Sequence, residues 1–385
     1  MKPGKENPRS IAAAPADAAR ILRELVAFPS VHPDADTGGT EPGERAIAEW
    51  VADCLRRQGA GVRLASFAPD RPSVVAAFEP QGKVRETVLF MPHLDTVGVA
   101  GMTVAPFRLT RCDGQFYGRG ASDTKGPMAA LLAACGAVAR RGAFRESVRF
   151  LIVATAGEEQ GSLGAEWLLK QGLCADFAVA LEPTGMKVVH GAKGVLRLRL
   201  EVAGKSAHGS RPDRGVNAVL RALPLVAGLQ QELEPWLRSF GRAGLRGGTM
   251  NVGILRGGGE FNLVPSQCEC GVEFRLPPGL SADAVVARVR TVISRTGVRA
   301  RLSVVRSGPA FLTSRNHPWA RRVRAVGRGW ECVNWFCDAN MAAAFGIPAV
   351  AFGPGYMRQA HTKDEFIKAS ELDAGTAALT RLLTV

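Results

Sequence analysis

The chain has 385 residues, 46% of them apolar, and 49 Lys and Arg against 35 Asp and Glu give it a net charge of +14. That length exceeds what a single hydrophobic core serves, so two domains are expected. No apolar run reaches membrane-spanning length and the start, MKPGKENPRS, is polar, so neither a membrane segment nor a secretory signal is expected, and the default location is the cytoplasm.

Taken in order, the periodicity predicts a helix at about 16–27 and a second at 44–58, with Ile47, Trp50, Val51, Cys54 and Leu55 on one face. Strands follow near 73–78 and 86–91, then an Ala- and Leu-rich helix over 126–140 opening on Pro127, a strand at 148–154, a helix near 163–171 and a strand at 177–181. Alternating strands and helices of this kind make an α/β layer with a mixed, largely buried central sheet. After Gly194 the pattern changes, because VLRLRLEVAG alternates apolar and basic residues as a strand with one wet face does. A helix over 215–235, a strand within CECGVEFRLPPG at 268–279, a helix over 281–295 and a strand at 300–306 complete an α+β unit with an antiparallel sheet and two helices. The buried run PAVAFGPG at 348–355 returns to the first pattern, so residues 191–309 are expected as a domain inserted between 1–190 and 310–385. The first ten residues are expected to be disordered.

The net charge raises nucleic acid as a partner, but basic residues are scattered with few aromatics between them and no recognition motif, and a surface field that favours anionic substrates fits the charge equally well, so no nucleic-acid partner is expected. The eight cysteines lack paired zinc-finger spacing and read as reduced, half-buried hydrophobes. His93, Asp123, Glu159, Glu182 and His361 fall where predicted strands end, and such positions converge on one crevice in an open α/β sheet. Two imidazoles and three carboxylates without a thiolate suit a catalytic pair of zinc ions, with cobalt or manganese as substitutes. Taken singly, these residues are ordinary: Glu158 and Glu159 suit the first turn of a helix, and Asp123 suits a helix cap. Their joint placement favours the metal reading. The glycines before Lys125 do not fit a phosphate loop.

HLDTV, GRGASDTKGPMAA, ATAGEEQGS, ALEPT, GKSAHGSRPDRGVNA, NLVPSQCECGVEFRLPPG and FGPGYMRQAHTKDE, in this order, resemble the M20 metallopeptidase and deacylase family over nearly the whole chain. Among its branches the acetylornithine deacetylases are the most similar, through CDA at 337–339 followed by GPG and QAH. The resemblance implies a zinc pair bridged by Asp123, with His93 and Glu182 on one ion and Glu159 and His361 on the other. It implies that Asp95 orients His93 and that Glu158 is the general base, taking a proton from a bridging water and passing it to the leaving amine. It also implies a cis peptide between Asp123 and Thr124. The inserted domain resembles a lid that forms a homodimer and presents His208 to the partner's site. Asn262, Arg275 and the amides of Gly353 and Gly355 are the candidate substrate contacts. Glu at 182 matches members that remove acyl groups or C-terminal residues. Many relatives carry an Arg where this chain has Asn340, which favours an acetylated over a succinylated substrate. The expected activity is hydrolysis of an N-acyl amino acid, N-acetylornithine first, in arginine synthesis. A desuccinylase or a glutamate-type carboxypeptidase is the alternative within the class, and a metal-holding protein without turnover the alternative outside it.

Overall fold

The computed structural model describes residues 15–39, 43–241 and 244–384. The first ten residues, expected to be disordered, lie outside that set, as do residues 242–243. The described chain resolves into two units. One runs up to His190 and takes in Thr313–Glu331 and the segment from Cys337 onward; the other is Gly191–Leu312 with Cys332–Phe336. No helix among the described residues is long and apolar enough to cross a membrane.

The first unit is built on a mixed sheet in the order Gly61–Ser66, Pro72–Phe78, Val148–Ala154, Glu86–Met91, Phe177–Ala180, Ala349–Ala351. The last four of these strands are mutually parallel, and Pro72–Phe78 runs antiparallel to Val148–Ala154. Val88, Phe90, Phe150, Ile152, Phe177 and Val179 turn to one face, into a core shared with helices Pro15–Ala27, Arg45–Arg57, Lys125–Arg140 and Ala369–Thr384. Each fully buried Phe contributes roughly 1.5–3 kcal/mol. The alternate residues Leu89, Met91, Val153, Ala178 and Ala180 are buried outside that core, on the face where helix Asp338–Ala344 meets strands Phe177–Ala180 and Ala349–Ala351 and packs on helix Leu163–Lys170. The helix Lys125–Arg140 is apolar all round and buried from Lys125 to Val138, as a central core helix must be.

The parallel register aligns the strand ends. Met91 pairs with Ala180, and Ala180 with Ala351, so His93, Glu182 and Gly353 each follow by two residues at the same edge. A bridge between His93 and Thr155 extends the alignment to the strand that leads to Glu158 and Glu159. A small antiparallel sheet of Thr110–Cys112, Gln115–Tyr117 and Phe366–Lys368 lies apart.

The second unit is a fully antiparallel sheet in the order Thr249–Gly257, Gln267–Leu276, Gly194–Ala203, Ala300–Gly308. Leu196, Leu198, Leu200 and Val202 are buried with residues of helices Ala218–Arg238 and Ala282–Thr296, while Arg197, Arg199 and Glu201 stay exposed. On the wet face Arg197 meets Glu273 at 2.8 Å and Arg199 meets Glu269 at 3.2 Å. The side chain of Asn217 accepts from the amides of Val219 and Leu220, which fixes the start of the longer helix.

Candidate metal and catalytic site

Five side chains from distant parts of the chain meet at the aligned edge of the first unit's sheet. His93 Nε2 lies 3.0 Å from Asp123 Oδ1, and His361 Nε2 lies 3.3 Å from Asp123 Oδ2 and 3.1 Å from Glu159 Oε1. Candidate donor atoms of His93, Asp123 and Glu182 lie within 4.8 Å of one another, and so do those of Asp123, Glu159 and His361. Asp123 is common to both groups. His93, Asp123 and Glu182 are buried, whereas the His361 side chain is 50% exposed. The donor set, nitrogen and oxygen with no thiolate, fits two divalent cations sharing one carboxylate.

Asp123 reaches this place by a route that differs from the expected strand end. The strand before it, Gln115–Tyr117, belongs to the small sheet, and Asp123 sits in the turn that opens the helix Lys125–Arg140. The peptide between Asp123 and Thr124 is cis, as the family resemblance implies. Glu365, which sequence reasoning gave no role, holds this turn. Its buried carboxylate accepts from Arg119 Nη1 at 2.7 Å and from the amides of Gly120, Ser122 and Asp123 at 2.9 to 3.0 Å. Thr124 Oγ1 accepts from the His93 amide at 3.2 Å and so ties the turn to the strand end. His361 comes after the glycine loop that leaves Ala349–Ala351 and the short turn Met357–Gln359, has a left-handed backbone with φ of 61°, and precedes the short strand Phe366–Lys368.

Asp95 supports the site differently from the expectation. His93 Nδ1 donates to the backbone carbonyl of Asp95 at 2.9 Å, while the carboxylate stands 3.6 Å away. The carboxylate is engaged elsewhere: its two oxygens accept from the amides of Glu158 and Glu159, each at 3.0 Å. The carbonyl therefore fixes the imidazole with Nε2 toward Asp123, and the carboxylate fixes the turn bearing the acid pair. Behind that turn, Thr155 Oγ1 donates to buried Asp338 at 2.6 Å.

The electrostatics follow from crowding four carboxylates together, Asp123 and Glu182 buried and Glu158 and Glu159 partly so. Burial pushes Glu158 and Glu182 well above the ordinary carboxylate range, opposed by His93 and reinforced by neighbouring acids. Burial also raises Glu159, against its hydrogen bond with His361. Asp123 goes the other way: burial opposes it, but hydrogen bonds from His361 and His93 hold it far below the usual range. Burial would lower His93, yet its hydrogen bond to Asp123 and the surrounding acids raise it well above an ordinary imidazole. His361 is pushed up to about 10 by its hydrogen bonds to Asp123 and Glu159. A field that draws protons onto two imidazoles also draws cations.

The remaining candidates are dispersed. Gly353 is buried, and a Cβ there would lie 2.7 Å from the Glu182 carbonyl, so its lack of a side chain is a packing need. Its amide donates to Thr184 Oγ1 at 3.2 Å, so it is not the substrate donor that was expected. Gly355, with φ of 83°, is also buried and accepts at its carbonyl from Gly185. In the second unit His208 Nδ1 lies 2.8 Å from Ser210 Oγ, and Asn262 is exposed on a segment bridged to the His208 loop. Arg275 Nε donates to Glu273 at 2.8 Å, so its guanidinium already has a carboxylate partner.

Residues 89–385 match the peptidase family M20/M25/M40. The chain belongs to this M20 family. It is 32% identical over 373 residues to the acetylornithine deacetylase of Myxococcus xanthus, covering 94% of this chain and 95% of that protein. The M20 fold is also seen in the metallo-carboxypeptidase Sso-CP2 of Sulfolobus solfataricus, with a TM-score of 0.79, 20% identity, and coverage of 96% of this chain and 98% of that one. A dinuclear metal binding peptidase of the M20 family from Bacillus subtilis superposes with a TM-score of 0.69 at 13% identity, covering 96% and 97%. This chain is thus an enzyme of the M20 metallopeptidase and deacetylase family.

Proposed function

We propose that this chain hydrolyses the amide bond of an N-acyl amino acid, with N-acetylornithine as its substrate, and that it works with two zinc ions for which cobalt or manganese can substitute. The observation that carries this reading is the pair of donor groups joined at Asp123 with Glu158 beside them. His93 and Glu182 would hold one ion, Glu159 and His361 the other, and Asp123 both. Bound there, the cations would polarise the scissile carbonyl and lower the pKa of attacking water. Glu158 is the general base. Burial gives its carboxyl more than ordinary affinity for a proton, which suits a group that must take one from water and return it to the leaving amine. Asp95 holds that group in place through the amides of Glu158 and Glu159.

The choice of acyl group rests on the Myxococcus relative's name and on Asn340. Asn340 is buried, accepts from the Cys337 amide at 3.1 Å and brings no positive charge, so a second carboxylate on the acyl group would find no counterion there. His208 and Asn262 are the proposed contacts from the second unit, with Arg275 for the substrate carboxylate. A homodimer through that unit is supported by exposed Leu220 and Leu223 on its long helix and Leu255 on the edge strand Thr249–Gly257. The reading places the enzyme in the cytoplasm and in arginine synthesis.

The test is a panel of N-acetyl, N-succinyl and N-formyl amino acids and dipeptides assayed with zinc or cobalt, for the wild type and Glu158→Ala. The wild type should prefer N-acetylornithine. The variant should keep its metal and lose on the order of a hundred- to ten-thousandfold in kcat. Turnover undiminished in the variant would remove Glu158 as the base.

A further inference from the structure

Arg71, which leads into the strand Pro72–Phe78, has no place in the proposed chemistry, yet it connects a buried acid to the turn that carries the catalytic pair. Its Nε and Nη2 form a fork on Glu44, with contacts of 3.0 and 2.5 Å, and Glu44 is fully buried. Its remaining nitrogen, Nη1, donates to Gln160 Oε1 at 2.5 Å, and Gln160 directly follows Glu159. The side-chain Nε2 of Gln160 in turn donates to exposed Asp34. Phe67 lies under the guanidinium, 4.8 Å from ring centre to Arg71 Cζ.

Two features make this contact stiff. A buried carboxylate without a partner is costly, so Arg71 cannot swing away from Glu44 to follow a moving loop. Gly157 opens the way for it: with φ of 72° the backbone turns sharply there, and a Cβ would come within 3.1 Å of Arg71 Nη2. The turn is thus gripped from two sides, Asp95 on the amides of Glu158 and Glu159 and Arg71 on the side chain that follows.

We propose that Arg71 is a positioning residue: anchored on Glu44, it fixes Gln160 and thereby aims Glu159 at His361 and Asp123. This rests on the reading of Glu159 and His361 as the second cation's ligands. A lysine cannot replace the guanidinium, because one ammonium does not present three donors in a plane to Glu44 and Gln160 together.

The experiment titrates zinc into metal-free wild type, Arg71→Lys, Arg71→Ala and Gln160→Ala by calorimetry, alongside kcat, KM and thermal midpoints. Gln160→Ala cuts the link and leaves the Arg71–Glu44 pair intact, so it remains informative should Arg71→Lys fold poorly. The expected result is a first equivalent bound as in the wild type and a second weakened about ten- to a hundredfold, with kcat reduced and KM unchanged. Added guanidinium should partly restore kcat in Arg71→Ala. Wild-type affinity for both equivalents in Gln160→Ala, or equal weakening of both with a fallen midpoint and no guanidinium rescue, overturns the proposal. A wild type that takes up only one equivalent, or cleaves no N-acyl amino acid, sinks the underlying reading instead.

Discussion

Asp123 faces both imidazoles, one on each oxygen, and its charge makes them hold their protons. His361 is pushed up to about 10 and His93 is raised well above the ordinary value, so in the metal-free protein both rings hold a proton more firmly than a free imidazole does. A metal ion must displace those protons to reach the ring nitrogens. Metal uptake at neutral pH should therefore release protons, and affinity should rise with pH until it approaches about 10 and fall on acidification. Calorimetry in two buffers of different ionisation enthalpy measures the release directly. An apparent enthalpy that is the same in both would show that the rings were neutral beforehand.

At the scale of elements, the turn that delivers Asp123 depends on Glu365. Removing one member of a buried ion pair leaves the other charge unpaired, so Glu365→Ala should cost about 3–5 kcal/mol of stability. It should also weaken metal binding, since three amides of the turn lose their acceptor. Urea unfolding and a zinc titration report the two effects, and an unchanged zinc affinity would mean that the turn holds its shape unaided. Nothing in the chain near residue 365 signals this role. The partners lie some 240 positions earlier, and contacts of that span leave no periodicity. The small sheet was hidden by its size, since strands only three residues long carry too little periodicity to read. By contrast, strands such as Phe177–Ala180 and the helix Lys125–Arg140 could be read closely from the chain, because burial forces continuous apolar sequence. The alternation in Gly194–Ala203 was equally legible, as one face is wet. The strand-end pattern fits His93 and Glu182, whereas Asp123 and His361 were singled out by their motifs and not by where the strands end. The part played by Asp95 was not legible, since a spacing of two does not tell a carbonyl from a carboxylate.

At the scale of the whole molecule, the proposed homodimer makes a further prediction. If His208 serves the partner's site, neither His208→Ala nor Glu158→Ala alone should be active, but mixed subunits should recover activity. In a heterodimer one site combines an intact Glu158 with the other chain's intact His208, so random mixing should return about a quarter of wild-type rate. Verified heterodimers without turnover would place His208 in its own chain's site or outside the reaction. The alignment of strand ends carries a last consequence. His93 and Glu182 are seated by the pairing of Met91 with Ala180, whereas His208 and Asn262 lie on segments beyond the regular sheet. Descendants of such a scaffold can therefore drift in what they recognise by rewriting those segments, while the ladder beneath the candidate metal site keeps its chemistry through the change.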